Sequence, residues 1–390
     1  MNQSKALVEF HILQNYAPSN LNRDDSGSPK DAVFGQAVRG RISSQCLKRA
    51  MRTYVAEHDL LSPDVRGVRT TRVVDAIASR LESQGRNIDA ARQAAATALA
   101  SVKLKFEDNR SQYLLFLGHG EINRIADIIN SHWDVLVSAS GAEEAPKEGG
   151  KKSAKQSKQD AKDKLPKEVG IEISAALDGG RAVDIALFGR MVADSPDISR
   201  DAACQIAHAL STHRIEREFD FFTAVDDLQS NDDSGAGMLG TVEFSSACYY
   251  RYGVIDLRML ADNLGGDMDL ALEGLRAFLD AAVHARPSGK QNTFAAHQAP
   301  GYVGFSVRTK GVPHSLANAF ETPVRAAAGT SVTAQSVEQL KNYRAKLVAA
   351  YGLADSLDDL DLTGEEIPAQ TLDALIASTV DKARAALGGQ

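Results

Sequence analysis

The stretch RISSQCLKRAMR, residues 41–52, predicts the first long helix of the chain and gives it an unusual charge. Ser43 or Ser44 is a suitable N-cap, and the helical spacing continues to about His58. At 100° per residue, one side of this helix collects Leu47, Met51, Tyr54 and Val55, and the opposite side collects Gln45, Lys48, Arg49 and Arg52. We therefore expect one apolar face and one exposed basic face.

This basic face stands in an acidic protein. The chain has 390 residues and a net charge of −7. Between residues 23 and 52, however, seven Lys or Arg residues face only three Asp residues, which makes this window +4. Salt screens charges beyond about 10 Å, so a local cationic site can exist on an acidic surface. The asymmetry argues against a generic basic nucleic-acid binder and favours a local anion-binding surface.

Length and composition bound the class of protein. A chain of 390 residues suggests two or three folding units. Three distant cysteines, Cys46, Cys204 and Cys248, form neither a disulfide framework nor a CxxC pair, which favours a reducing compartment. The sequence has no signal-peptide pattern and no long apolar run, so we expect a cytoplasmic protein.

The order of patterns along the chain mixes helices and strands. In the first half of the chain we expect a strand at 6–13, a long polar loop at 15–35, helices across 68–137 and a central strand in AVDIALFG (182–189). In the second half we expect a β-hairpin from 214–226 and 238–252, helices at 256–285, a strand at 302–308 and a mostly helical C-terminal third. Residues 141–168 contain eight lysines and no aromatic residue, a composition that predicts a disordered loop.

Each basic or aromatic feature has a structural reading and a functional one. The basic helix face could be a solvated surface, but cations near a helix N-terminus are electrostatically unfavourable unless an anion binds there. The loop carrying Asn22, Arg23 and Lys30 could lie beside the same anion or be plain surface. For the hairpin, alternating Phe and Val favour packing in a core over a projecting arm. For the lysine-rich segment, a solubilising linker is favoured over an arm that touches nucleic acid.

Acidic pairs are the candidates for catalysis. Asp24–Asp25 and Asp226–Asp227 could hold a metal for phosphodiester hydrolysis. No histidine stands at ligand spacing beside them, and aspartate is common in turns for backbone reasons, so a structural role is favoured. Phosphate-binding loops, dinucleotide fingerprints and nucleophile elbows are also missing from the sequence. We expect neither an enzyme nor a cofactor.

The combined motifs resemble one family. They are LNRDD (21–25) with KDAVFG (30–35), RISSQCLKRAMR (41–52), VDIALFGRM (183–191), IAHALSTH (206–213), FFTAVDDLQ (221–229), LGTVEFSSACYYRY (239–252) and SLANAFE (315–321). In this order they resemble the CasC family, the crRNA-binding backbone subunits of the type I-E CRISPR surveillance complex, Cascade. The resemblance runs from residue 6 to about residue 320.

The resemblance implies an α+β fold shaped like a hand. Its palm would be a ferredoxin-like, RRM-type domain made of residues 1–59, 181–212 and 249–390, the last including C-terminal helices. Helical fingers would occupy 60–180, with the disordered lysine-rich loop at 141–168, and a β-hairpin thumb would occupy 213–248.

The resemblance also implies site residues. Guide-RNA phosphates and sugars would be held by Asn22, Arg23, Lys30, Arg41, Ser43, Gln45, Lys48, Arg49 and Arg52, with Lys290 and Gln291 as weaker candidates in the same groove. Met191, in FGRM where relatives have SGRM, would wedge beside a kinked nucleotide. Phe222, Thr223 and Val225 would contact the displaced base. Target DNA could meet Lys151, Lys152, Lys155 and Lys158.

The implied function is non-catalytic. Copies of the subunit would polymerise head to tail along one crRNA and present it for pairing with target double-stranded DNA, a role in antiviral defence. Partners would be crRNA, target DNA, other copies, and the large, small, five-prime-end and crRNA-processing subunits of the complex, with no membrane. The alternative is a metal-dependent endoribonuclease subunit that uses Asp226 and Asp227.

Overall fold

The computed structural model describes residues 6–102, 104, 106–107, 109–141, 167–192, 196–224, 238–353 and 357–388. It shows a mixed α+β architecture, as the sequence predicts. Two compact units contain several chain segments each. Unit 1 is formed by Met1–His58, Cys204–Arg258 and Leu275–Gln390, and unit 2 by Asp59–Ala203 and Met259–Gly274.

Unit 1 is built on a large sheet. Its strands are β1 (Leu7–Ser19), β2 (Asp31–Phe34), β3 (Ala37–Ile42), β8 (Cys204–Ile206), β9 (Ala209–Ser211), β10 (Glu218–Ala224), β11 (Met238–Asp256), β12 (Tyr302–Arg308) and β13 (Leu357–Asp361). The order is β13-β12-β1-β11-β9-β3-β2, with β8 and β10 also pairing with β11. Every pairing is antiparallel.

The central strand β1 is buried because its neighbours cover it on both edges. It pairs with β11 on one side and β12 on the other. The first ten residues of β1, up to Tyr16, are buried except Asn15. The buried polar side chains of this stretch have hydrogen-bond partners: Glu9 accepts from Tyr252 and Arg308, His11 lies 2.8 Å from the Tyr250 hydroxyl, and Gln14 donates to the Gln298 carbonyl.

Strand β11 belongs to two structures at once. Its C-terminal part pairs with β1 inside the sheet, and its N-terminal part pairs with β10 as a hairpin. The β1–β11 register runs without interruption to Tyr16 and resumes at Ser19, which marks a β-bulge between these two residues. The hairpin therefore begins where the ladder is irregular.

The helices of unit 1 are α1 (Ser44–Glu57), α10 (Gln291–Phe294), α11 (Val332–Tyr351) and α12 (Leu372–Gly388); α8 (Leu257–Asn263) and α9 (Met268–His284) contribute residues to both units. A buried cluster joins the sheet to α11 through Leu13, Tyr250, Tyr302, Val337 and Leu340. Burial of apolar surface of this kind stabilises a fold by about 25 cal/mol per Å².

Unit 2 is mainly helical. Its helices are α2 (Val73–Ser83), α3 (Ile88–Ala100), α4 (His119–Ser131), α5 (Trp133–Gly141), α6 (Lys167–Ala176) and α7 (Val183–Phe188), and its short strands are β4 (Gly67–Thr70), β5 (Phe106–Glu107), β6 (Arg110–Ser111) and β7 (Leu115–Gly118). Asn87 caps α3 by accepting from the backbone N–H of Asp89 and Ala90, at 3.0 and 3.1 Å. The alanines of α3 lie in the core of this unit.

A fully buried ion pair holds unit 2 together locally. The Glu121 carboxylate accepts from Arg190 Nη1 at 2.8 Å and from the backbone N–H groups of Gly118 and Gly179 at 2.6 and 2.8 Å. Arg190 also donates to the carbonyls of Phe116, Leu177 and Ile198. Because each buried charge is hydrogen-bonded, the desolvation penalty is offset.

The predicted strand at 182–189 is wrong. Residues Val183–Phe188 form helix α7, which ends at Gly189 with φ of 76°. Val183, Ile185, Ala186 and Leu187 are all buried. A short apolar run buried on every side has no period that distinguishes strand from helix, which explains the error.

Two further expectations need correction. The predicted loop 15–35 contains the end of β1 and the whole of β2, which pairs with β3 as a tight hairpin. The predicted helical stretch 68–137 includes strands β4 to β7, of which β4 pairs with the distant β7 and β5 with the adjacent β6. The C-terminal third is mostly helical, as predicted, and also contains β13, where Asp359 and Asp361 pair with Lys341 at 3.1 and 2.8 Å.

Most of the lysine-rich segment, residues 142–166, lies outside the described residues, and with it the disorder predicted there. The predicted boundaries of palm, fingers and thumb stay a prediction. Within the ranges that the structure describes, no helix is long and apolar enough to cross a membrane.

Candidate nucleic-acid interface

Helix α1 begins where the sequence predicts. Ser43 has an extended backbone, and its Oγ accepts from the Cys46 N–H at 3.3 Å. Leu47 and Met51 are buried and Gln45 is exposed, so the predicted apolar side does face the core. No acidic residue occupies the first turn of this helix. The positive end of the helix dipole is therefore not compensated by its own side chains.

The loop before α1 is tied to this N-terminus. The Asn22 side-chain oxygen accepts from the Ser43 N–H at 2.9 Å, and the Asn22 carbonyl accepts from the Lys30 N–H at 2.8 Å. Arg41 donates through Nε to the Asp31 carbonyl at 3.1 Å and lies 3.3 Å from His208 Nδ1. Asn22 and Arg41 thus orient the site, and the structure brings both beside α1.

Four basic side chains have no hydrogen-bond or ion-pair partner among the residues that the structure describes. Across the described parts of the chain, no hydrogen bond or ion pair is formed by the side chains of Arg23, Lys30, Lys48 or Arg49. Arg23 and Arg49 are exposed, whereas Lys30 and Lys48 are half-buried. Arg52, predicted with them, does interact within the protein. Cations without partners are available to a ligand.

The charges of these residues act on their neighbours. Burial lowers the pKa of His208, and the positive charges of Arg41 and Lys30 lower it further. Burial raises the pKa of Cys46, and Lys30 and Arg49 oppose that rise. Burial raises the pKa of Cys204 to about 12, and Lys48 opposes it. The potential along α1 is therefore positive.

The structure divides the predicted basic face into two sides. Arg49 lines a cleft, whereas Lys48 and Arg52 do not. Lys48 acts instead on Cys204 in β8. Lys48 and Arg49 are consecutive residues of α1, so their side chains point about 100° apart around the helix axis. They therefore face different sides of the helix.

The cleft beside α1 has a volume of about 650 Å³. It is lined by the Arg23 loop, one side of α1 and the segment 286–289, with the charged residues Arg23, Asp24, Asp25, Arg49, Glu57 and Arg286. Gly289 lies so close to the loop that an added Cβ would be 2.3 Å from the Leu21 carbonyl oxygen. This contact fixes the third wall of the cleft.

Arg286 is the residue that the sequence prediction missed. It follows α9 in the run Arg-Pro-Ser-Gly-Lys, in which two cations flank a turn. That run is the available signal, whereas the predicted residues Lys290 and Gln291 come from the overlapping motif GKQNTF (289–294). In the structure the Gln291 amide donates to the Pro287 carbonyl and accepts from the Ala296 N–H, so it holds its own loop. Lys290 is half-buried with φ of 50°.

Asp24 has a structural role, as the sequence favours. Its carboxylate accepts from the Ser26 hydroxyl at 2.7 Å and from the backbone N–H groups of Ser26 and Ser28. The Ser26 hydroxyl is the main cause that lowers the pKa of Asp24. Asp226 and Asp227 lie outside the described residues. In the rest of the chain, as described, no group of three or more His, Cys, Asp or Glu residues could hold a metal ion.

The hairpin of β10 and β11 is exposed. Phe219 and Phe221 are each 65% exposed, and every residue of β10 is accessible to solvent. The favoured interpretation of these aromatics as core is therefore wrong, because the hairpin extends past the sheet that would cover them. Phe222 lies opposite Gly240 and packs over it, since an added Cβ there would be 2.3 Å from the Phe222 ring. Thr223 is exposed, and Val225 lies outside the described residues.

Met191 lies in unit 2 and is 90% exposed. It directly follows Arg190, whose guanidinium is fixed by Glu121. The predicted DNA-binding residues Lys151, Lys152, Lys155 and Lys158 lie outside the described residues.

Comparison with known proteins gives the family. The model of the CT1975-like protein family matches residues 8–382. The chain belongs to this family. Because the match spans nearly the whole sequence, it includes the cleft, the hairpin and Met191.

Solved structures agree over the same length. The chain is similar to one in a CRISPR RNA-guided surveillance complex, pre-nicking, with a TM-score of 0.82, 32% identity, and coverage of 97% of this chain and 100% of that one. It is also similar to a chain of a CRISPR RNA-guided surveillance complex with a TM-score of 0.70, 26% identity, and coverage of 96% and 99%. No curated protein matches the chain.

Proposed function

We propose that this CT1975-like protein is a CasC-type backbone subunit of a type I-E Cascade. Unit 1 is the RRM-type palm with the β10–β11 hairpin as its thumb, and unit 2 contains the fingers. Copies assemble head to tail along one crRNA in the cytoplasm, bind the other Cascade subunits, and present the guide to target double-stranded DNA. The subunit does not cleave RNA or DNA.

One observation carries this proposal: Arg23, Lys30, Lys48 and Arg49 surround the N-terminal half of α1, and their side chains form no hydrogen bond or ion pair with the described part of the chain. Cations, a serine and free helix N–H groups bind phosphate whatever the sequence of the bases. A guide must be gripped in this way, because its base edges have to remain free for pairing. An acidic chain has no other evident need for such a cluster.

The exposed apolar side chains support the same role. Phe222 and Thr223 on the hairpin contact a displaced base, and Met191 wedges beside a kinked nucleotide. Side chains that break base stacking act without reading sequence. Both Phe222 and Met191 are exposed, at 40% and 90%, as such contacts require.

The likeness to chains of RNA-guided surveillance complexes, over 97% and 96% of the present chain, supports membership of an assembly of that kind. A repeated head-to-tail contact is a heterologous interface, which builds an open helix when the rotation between copies does not close.

The test is the double variant Lys48→Ala, Arg52→Ala, co-expressed with guide RNA and the other subunits. We expect loss of guide binding and a salt dependence shallower by about 1.4 in the log–log slope, since each single-strand phosphate contact contributes about 0.7. Lys346→Ala, an exposed residue of α11, is the control. Unchanged assembly and salt slope in the double variant, or a wild-type particle whose 260 nm absorbance shows no RNA, would refute the proposal.

A further inference from the structure

The cleft beside α1 leaves charges of both signs unpaired. Arg23 and Arg49 line it without partners, and so do Asp25 and Glu57, which make no hydrogen bond or ion pair with any residue that the structure describes. Asp24, the remaining acid of the cleft, is used by its own turn. Opposite charges that share one cleft without pairing suit a ligand that offers both an anion and a hydrogen-bond donor.

Two hydrogen bonds to backbone carbonyls orient the Arg286 guanidinium. Its Nε donates to the Gln298 carbonyl at 3.3 Å and its Nη1 to the His284 carbonyl at 3.0 Å. Its Nη2 forms no hydrogen bond within the described chain. A guanidinium fixed by two carbonyls loses little conformational freedom when it binds phosphate through its remaining donors.

Helix α1 places an acid in the same cleft as these cations. Arg49, Thr53 and Glu57 follow one another at a spacing of four residues, so they lie along one line of the helix, and all three line the cleft. An acid at a helix C-terminus is unfavourable because of the dipole, and no cation of the described residues forms an ion pair with Glu57 to offset this.

The chemistry of these groups selects the ligand. An ionised carboxylate only accepts hydrogen bonds, so it repels phosphate and attracts a hydroxyl group. A ribonucleotide presents both groups, since its 2′-hydroxyl is a donor next to the phosphate backbone, whereas DNA lacks that hydroxyl. A deoxynucleotide would leave the carboxylate unpaired beside a phosphate.

We propose that this cleft binds one ribose-phosphate unit of the guide and discriminates RNA from DNA. Arg286 binds the phosphate of that unit and Glu57 accepts a hydrogen bond from its 2′-hydroxyl, while Arg23 and Arg49, which lies about 12 Å from Glu57 along α1, bind the neighbouring stretch of backbone. The inference rests on the proposed guide-binding function and adds to it a phosphate-binding residue and a source of selectivity.

The experiment measures the affinity of the full chain for a labelled single-stranded RNA and for DNA of the same sequence over a salt series. Arg286→Ala is expected to weaken both by about tenfold, the effect of one charge-assisted hydrogen bond, and to reduce the salt slope by about 0.7. Arg286→Lys should keep the slope but not the full affinity. Lys346→Ala removes a charge outside the cleft and should change neither.

Glu57 is tested by the ratio of RNA to DNA affinity. Glu57→Ala should weaken RNA binding and strengthen DNA binding, so that the ratio falls by about fivefold to tenfold. Glu57→Gln retains an acceptor oxygen and should restore most of the ratio. A merely electrostatic or structural role would change both affinities by the same factor.

Two results would overturn the inference and leave the proposed function standing. One is that Arg286→Ala and Arg286→Lys both bind RNA with normal affinity while the double variant Lys48→Ala, Arg52→Ala loses RNA binding. The other is an unchanged RNA-to-DNA ratio in Glu57→Ala. If the Lys48, Arg52 variant also binds RNA normally, the proposed function itself fails.

Discussion

The arginines of the two units are used in opposite ways. In unit 2, Arg190 is buried, and its guanidinium donates to the Glu121 carboxylate and to the carbonyls of Phe116, Leu177 and Ile198. In unit 1, Arg49 is exposed on α1 and has no hydrogen bond or ion pair with any described residue. Arg190 lies in the motif VDIALFGRM and Arg49 in RISSQCLKRAMR, and neither motif distinguishes a structural arginine from a ligand-binding one.

The difference teaches that partners, not residue type, separate structural charges from functional ones. Removing a buried charge leaves its partners unsatisfied, which destabilises the fold. Removing a charge that has no partner leaves the fold unchanged and affects only the ligand. The contrast can therefore be tested by measuring stability and RNA binding on the same variants.

The largest effect is expected at the buried pair. Glu121→Ala should lower the free energy of unfolding of unit 2 by about 3–5 kcal/mol, because it leaves Arg190 charged and without its counter-ion. Denaturant unfolding followed by circular dichroism measures this. Asp75→Ala is the control, since its pair with Arg92 is nearly half exposed and such pairs contribute about 0–1 kcal/mol. Equal losses in the two variants would contradict the contrast.

A buried histidine makes the stability of unit 1 depend on pH. Burial, with the charges of Arg344 and Arg308, lowers the pKa of His11 to about 3. The Tyr250 hydroxyl accepts from the Leu316 N–H at 3.0 Å and lies 2.8 Å from His11 Nδ1, where it can donate its hydrogen to the neutral ring.

In the unfolded state His11 binds a proton near pH 6.5, whereas in the folded state it does so only near pH 3. The stability that comes from the neutral buried ring is therefore fully present above pH 6.5 and is lost as the pH falls from 6.5 towards 3. We expect a loss approaching about 1.4 kcal/mol per pH unit from this residue in the middle of that range. Urea midpoints between pH 7 and 4 measure it. His11→Asn should give a shallower dependence, and an identical slope in both proteins would assign the effect elsewhere.

The helix cap gives an intermediate effect. Ser43→Ala removes the acceptor for the Cys46 N–H and should destabilise unit 1 by about 1 kcal/mol. Ser44→Ala is matched to it, because the Ser44 hydroxyl makes only a 3.5 Å contact with Gln45, and it should change stability by less than about 0.5 kcal/mol. Thermal unfolding distinguishes the two, and a larger shift for Ser44→Ala would mean that the cap is misassigned.

The smallest effect on stability is expected at the cleft. Arg49→Ala should change the free energy of unfolding by less than about 0.5 kcal/mol, while RNA affinity falls by about tenfold. Titration with labelled RNA, beside a thermal melt of the same sample, measures both. A variant that is destabilised and still binds RNA normally would place Arg49 among the structural arginines.

Local patterns predicted the elements that local interactions decide. The cap at Ser43, the buried side of α1, the strand at 302–308 and the β10–β11 hairpin follow from spacing within one segment. Helix α7 and strand β13 did not follow, because distant segments determine how they are covered. Strand β2 pairs with the adjacent β3, but its four residues are too few to show a strand period. Arg286 was missed for the same reason: its place in the cleft depends on the contact between Gly289 and Leu21.

The exposure of the hairpin aromatics could not be predicted either. Alternating Phe residues have the same pattern in a buried strand and in a strand that projects beyond its sheet. Only the length of β11, which extends past the end of its pairing with β1, separates the two cases.

The irregular register at Tyr16 and Ser19 has a mechanical consequence. Strand β11 has 19 residues, and its C-terminal part is fixed in the buried sheet. The interrupted ladder between Tyr16 and Ser19 is the position where the projecting part of the strand can bend most easily. A force on the exposed aromatic residues of β10 is therefore expected to bend the hairpin at that position first, which would limit the strain that reaches the sheet. Shifting the irregularity by one residue would also turn these residues to the other side of the hairpin, because consecutive residues of a strand face opposite ways.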